Sequence, residues 1–261
     1  MPVDQGPRTG CGVDGLHPAN HDGMGGAVDH FFYRAVEGRW CADQQAGDVR
    51  HFGMSKEGMV ARQFMLGVVQ TAEGLPIYHE VFDGNTSEAP TLLPTVRKVL
   101  ARYPHIRRLV MVADRGLLSV DNLADLSAIS LPDVQADLEP AQIVQRYKSL
   151  ADIERGFRVL KSEIEIAPVY HRLPERIRAH ASICFMALIL YRVMRQRLKA
   201  AGHSASPESA LAQLRKIQRQ SVAINQGVPV SGISNIHREQ ADLLAAMNIR
   251  KPVPDAQLSL L

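Results

Sequence analysis

The sequence predicts a mixed α/β protein with a helical, basic C-terminal extension. Three observations carry that expectation. Two β-rich runs, Ala61–Gln70 and Leu75–Phe82, flank Thr71-Ala72-Glu73-Gly74, a connection suited to a hairpin. A short, wholly apolar run at Leu109–Ala113 follows a helical pattern and reads as a strand buried on both sides. From Pro140 onward the apolar residues recur at helical spacing.

Taken in order, residues 1–27 contain seven glycines and no apolar periodicity, the signature of a disordered segment. Val28–Val36 reads as a short strand, and the polar stretch QQAGDVRHFGMSKEG as a loop. The hairpin follows and ends in the turn cluster Asp83-Gly84-Asn85-Thr86. A helix over about Thr91–Tyr103 presents Leu92, Val96, Val99 and Leu100 on one face, and Pro104 stops it. After the buried strand comes a helix over Ser119–Leu126 with Ser119 as its cap. The order implies an antiparallel unit extended by a parallel strand through a helical crossover. Residues 128–139 carry little pattern. Helices are expected over Pro140–Ser162, Pro174–Ala200 and Pro207–Gln220, with Gly202 ending the second, then a β-like piece at Val222–Asn225 and a helix over Glu239–Met247.

Composition narrows the class. Three cysteines at unrelated spacings, Cys11, Cys41 and Cys184, exclude a disulfide scaffold or a cysteine zinc motif and fit a reducing cytoplasm. Aromatic residues make up only 5%, which disfavours a base-stacking single-strand binder. The start MPVDQGPRTG lacks a basic-then-apolar leader. The longest apolar run, Ile183–Leu190, is far below the ~20 residues of a bilayer span and reads as a buried helix. Net charge is +3, yet Arg146–Arg219 holds 15 Lys and Arg against six acids, a local +9 balanced by −6 elsewhere. Such a block suits a polyanion, or equally a solvated Arg-rich surface.

Two places suit chemistry. Asp114 follows the buried strand, where open α/β sheets place ligands, although Asp also caps turns there. Tyr147, Glu154 and Lys161 recur at sevens and so share one helix face, with Ile153, Phe157 and Leu160 on an adjoining stripe. A carboxylate between a phenol and an ammonium suits a divalent cation and a phosphate, but the same spacing arises on a plain surface helix. His79, His105, His171 and His180 lack metal-ligand pairing, and the last two read as helix-end or surface residues. Gly84-Asn85 reads as a turn, and Ser55-Lys56 as a loop that either meets phosphate or is solvated.

The combination resembles the insertion-sequence DDE transposases of the IS-four type. Their Tyr, Arg, Glu, Lys signature, with gaps of two, three and six, is matched by Tyr147, Leu150 in place of Arg, Glu154 and Lys161. The surrounding YKSLADIERGFRVLKSEIEIAPVYHRLPERIRAHASICFMALILYR, and upstream FGMSKEG, EGLPIYHEVFDGNT and VADRG, fit in the same order. The resemblance spans roughly residues 47–126 and 138–251. It implies a ribonuclease-H-like core in which three acids hold two divalent metals, Mg2+ or Mn2+, for in-line displacement at DNA phosphorus. Asp114 would be the second acid and Glu154 the third, with Tyr147, Arg158 and Lys161 on DNA. The implied partners are transposon ends and target DNA, with a homo-oligomer compatible and no membrane.

The first acid does not match. The family carries it in a strand ahead of the FG-x-SK segment, where this chain reads Phe31-Phe32-Tyr33-Arg34. Asp29 is nearby, on the same strand face as Phe31 and Tyr33 by alternation, and substitutes only if the strand slides. With only 40 positions from Asp114 to Glu154, the chain reads as an internally deleted, partly degenerate copy. The expected organisation is a Gly-rich N-terminus (1–27), a ribonuclease-H-like DDE domain (28–200) and a helical extension (201–261). Three functions stay open: an impaired transposase, a non-catalytic DNA-binding or oligomerising fragment, and a metal nuclease using Asp29.

Overall fold

The computed structural model describes residues 27–37, 47–54, 60–71, 74–104, 106, 108–112, 124–126, 129, 141, 144, 156–222 and 230–252. The chain forms two compact units, Met1–Ile189 and Leu190–Leu261.

The first unit is built on one five-stranded sheet of β1 (Ala27–Glu37), β2 (His51–Met54), β3 (Val60–Thr71), β4 (Pro76–Asp83) and β5 (Arg108–Val112). β3 is central. β1 pairs antiparallel along one edge, while the other edge takes β2 over Val60–Gln63 and β4 over Phe64–Gln70. β5 lies parallel to β1, with Val28 opposite Leu109 and His30 opposite Val112, and an irregularity between Val28 and His30. α1 (Ala89–Arg102) carries the chain from β4 to β5.

Both faces of β3 are covered, and Gln63 through Gln70 are buried without a break. On one face Met65, Val69 and Tyr78 meet Leu92, Val96 and Val99 of α1. These helix residues recur at i, i+4 and i+7, so a single stripe docks the helix. Each buried Leu or Val contributes roughly 1.5–3 kcal/mol relative to exposure. Tyr103 ties the end of α1 back to β4 by donating to the Ile77 carbonyl at 2.8 Å. On the opposite face α2 (Pro174–Ala200) reaches β4 through Ser182 and Phe185, both against His79.

α2 departs from the expected buried helix. Ile177, Ala181, Cys184, Phe185 and Leu188 are buried, but Ile183, Met186 and Leu190 are exposed along its other side. The apolar run therefore supplies one packed face rather than a fully enclosed segment. By length and composition the whole helix would also pass for a membrane span, which the short run concealed.

In the second unit, Leu198 at the end of α2 packs with Ala210 of α3 (Pro207–Leu214) and with Leu243 and Met247 at α4 (Arg238–Ala246). Gly202, at φ +66°, ends α2 while His203 N–H reaches the Leu198 carbonyl at 2.9 Å, a turn that favours glycine. Ser206 caps α3 by accepting from Ser209 N–H at 3.2 Å. Buried Gln240 donates to the Gln213 carbonyl at 3.0 Å, satisfying the open end of α3.

Several expected bounds shift. The loop before the hairpin contains β2, and the helix expected to reach Gln220 stops at Leu214. Arg219–Val222 instead forms β6, paired with β7 (Val230–Ile233). The described parts of the expected Ser119–Leu126 and Pro140–Ser162 helices, residues 124–126, 141, 144 and 156–162, are helical. Their remainder, the Gly-rich start through residue 26, the poorly patterned 128–139 apart from Ile129, and 223–229 lie outside the described residues.

His79 is the polar exception in the sheet–α2 interface. It is 6% exposed and stacks on Phe185 with ring centroids 4.3 Å apart. Ser182 donates its proton to the Arg178 carbonyl at 2.9 Å, so its oxygen accepts from His79 Nε2 at 3.1 Å. In the neutral ring Nδ1 is then unprotonated. Burial pushes the imidazole pKa down to about 4 from the ordinary 6.5. Between those values the unfolded chain binds more protons than the folded one. The stability contribution is thus complete above pH 6.5 and is lost as pH falls toward 4, by about 3 kcal/mol. Urea unfolding at pH 7 and pH 4.5 should show this loss, and His79→Gln should shrink it. An identical loss in the variant would contradict the assignment.

Candidate nucleic-acid and metal site

The helical residues 156–162 bring two expected DNA contacts to the surface. Phe157, Val159 and Leu160 are buried, whereas Arg158 and Lys161 are exposed. Three residues apart, these cations lie on neighbouring positions of one helix face. Tyr147 and Glu154, on the preceding turns in sequence, lie outside the described residues, as do Leu150 and Asp114.

Backbone register speaks to the acid triad. β5 runs to Val112, opposite His30, whereas Asp114 lies outside the described residues. Asp29 falls in the irregularity before His30, level with the body of β5. Arg34 pairs with Leu66 on β3, four residues past His30. Among the described residues no group of three or more His, Cys, Asp or Glu can hold a metal ion. Asp114 and Glu154, the residues that would hold a divalent cation, lie outside the described residues.

The histidines divide by environment. His180 Nε2 contacts the Ile166 carbonyl at 3.0 Å and lies 3.7 Å from Cys184 Sγ, with its ring edge-on to exposed His171 at 5.5 Å. Burial pushes the Cys184 thiol up, away from the reactive thiolate. His180 is thus a half-buried bracket for the chain at Ile166 rather than a surface residue, and His79 is a neutral core histidine. His105 lies outside the described residues. A lone histidine inside a β-run gave no sign of burial in sequence; only its pairing opposite Val68 does.

The FGMSKEG and DGNT segments interlock. Gln63 of β3 donates from Nε2 to the Gly84 carbonyl at 2.9 Å, and Gly84 N–H donates to the Val49 carbonyl at 3.0 Å. A Cβ on Gly84 would stand 1.9 Å from the Gln63 carbonyl oxygen, and one on Gly53 would stand 2.1 Å from Gln63 Nε2 and 2.6 Å from the Gly84 carbonyl oxygen. Beside this knot Asp48 and Arg50 form a buried ion pair, with Arg50 Nε 2.7 Å from Oδ1 and 2.8 Å from Oδ2. Gly84 therefore serves close backbone packing, in keeping with a turn. Ser55 and Lys56 lie outside the described residues.

Because the obstruction at Gly84 is backbone, Gly84→Ala should destabilise by about 3 kcal/mol, at the upper end of overpacking costs. The open neighbour Asn85→Ala should stay within about 0.5 kcal/mol as an exposed position. Chemical denaturation of both variants checks the contrast, and equal effects would remove the packing argument. No protein-family model, curated protein or solved structure matches the chain.

Proposed function

We propose that this chain is a DNA transposase of the insertion-sequence DDE, IS-four type, with a partly degenerate ribonuclease-H-like core and impaired DNA cleavage. The observation that carries the reading is the sheet. An antiparallel unit of β1, β3 and β4 is joined through α1 to β5, which lies parallel to β1. That arrangement agrees with the antiparallel unit extended by a parallel strand that the order of the elements implies, and it supports the reading. Exposed Arg158 and Lys161, four and seven residues after Glu154 in sequence, support DNA as the partner.

Impairment rests on charge. The expected first acid is replaced by Arg34, and a guanidinium there opposes divalent cations rather than holding them. Asp114 and Glu154 remain the candidate ligands for Mg2+ or Mn2+, with Asp29 the substitute third acid. Transposon ends and target DNA would be the substrates, and assembly as a homo-oligomer is compatible with this reading.

Two measurements test it. Duplex DNA binding should weaken with salt, and Lys161→Gln or Arg158→Gln should each lower the log–log slope by about one. Nicking of supercoiled DNA with magnesium or manganese should be negligible and equal in the unaltered chain and Glu154→Gln. Robust nicking that Glu154→Gln abolishes would overturn the impairment and make Asp29 the completing acid. Absence of DNA binding at low salt would overturn the transposase reading itself.

A further inference from the structure

The second unit carries a feature that its packing does not explain. β6 and β7 form a two-stranded ribbon, pairing Arg219 with Ile233, Gln220 with Gly232, Ser221 with Ser231 and Val222 with Val230. The ribbon is closed at its base by Ser234, whose N–H donates to the Gln218 carbonyl and whose hydroxyl accepts from Gln218 N–H, both at 2.9 Å. Gln218, Arg219, Gln220 and Ser221 are all exposed, so β6 shows no buried face over this run. A Cβ built on Gly232 would meet nothing within 4 Å. Two-stranded ribbons are marginal in water unless something packs on them.

Charge identifies what fits. No acidic residue occurs from Ser209 to Arg238, while Arg215, Lys216, Arg219 and Arg238 do. Arg238 lies 3.9 Å from Asp242, one turn along α4. The other three cations are exposed at the foot and start of the ribbon. Lys216 Nζ donates to Gln213 Oε1 at 3.0 Å and Arg219 Nη2 reaches Ser231 Oγ at 3.4 Å, both neutral partners that leave the positive charge uncompensated by the contact. Four residues of strand extend about 13 Å, with about 5 Å between paired strands. A major groove about 12 Å wide admits such a ribbon.

We infer that the β6–β7 ribbon is a duplex-DNA contact, with Arg215, Lys216 and Arg219 on phosphates and the Gln and Ser side chains of β6 toward base edges. The inference rests on DNA being the partner of the proposed function, and it names a surface separate from Arg158 and Lys161. Amides and hydroxyls offer donors and acceptors to base edges, whereas the cations fix position without reading sequence.

The test measures binding of the full chain to a fluorescein-labelled 30-base-pair duplex by anisotropy between 50 and 200 mM salt. The combined variant Arg215→Gln, Lys216→Gln, Arg219→Gln should lower the log–log slope by about one per cation removed. Gly232→Glu, which introduces an acid into open space, should weaken duplex binding at low salt with the melting temperature unchanged. If the unaltered chain binds duplex and neither variant changes its binding, the ribbon proposal fails while the transposase reading stands. Loss of heparin binding alone, with duplex binding retained, also overturns the proposal. An unaltered chain without salt-dependent duplex binding overturns both.

Discussion

The central strand constrains everything built on the first unit. β3 gives its hydrogen-bonding groups to β1 on one edge and to β2 and β4 on the other, and its eight residues from Gln63 to Gln70 are buried. A strand enclosed on both edges and both faces leaves its polar side chains few partners, and among the described residues Gln63 Oε1 and Gln70 Oε1 have none. Gln63 shows the consequence. Its amide holds the Gly84 carbonyl, and the closeness this demands excludes a side chain at Gly84 and at Gly53. Two segments some thirty residues apart in sequence are thus joined through packing on one buried glutamine.

What was legible in sequence follows from periodicity. The hairpin, α1 and β5 announce themselves because alternation, an i, i+4, i+7 stripe and a short apolar run each have one common structural meaning. β2 escapes because His51-Phe52-Gly53-Met54 is short, and its strand character comes from pairing with Val60–Gln63 rather than from its own residues. β6 escapes for the opposite reason: Arg219-Gln220-Ser221 is polar and exposed, so no alternation marks it, and it reads as a continuation of α3. At the candidate site, amphipathic spacing separated exposed Arg158 and Lys161 from buried Phe157 and Leu160. The neutral, buried state of His79 was invisible, since it depends on Ser182 and Phe185 more than a hundred positions away.

A count of charges overstates the basic surface. Within the +9 block, Arg192 is buried, and Arg197 donates to the Met247 carbonyl at 2.8 Å. Arg195 stands beside Glu208. Burial works against that carboxylate, but hydrogen bonds from Tyr191 and Ser206, together with the Arg195 charge, hold its pKa below the ordinary range. These arginines serve the second unit's own fold. A cation engaged in this way binds phosphate only by giving up the contact it already makes.

The acid question reduces to height along two parallel strands. His30 is opposite Val112, and Asp114 follows two residues on. Past His30, β1 continues as Phe31, Phe32, Tyr33 and Arg34 and offers no carboxylate before Glu37. Asp29 comes before that level, and Glu37 lies seven residues beyond His30, about 23 Å along an extended strand. Arg34, opposite Leu66 of β3, is of a residue type that carries only hydrogen-bond donors and so ligates no cation.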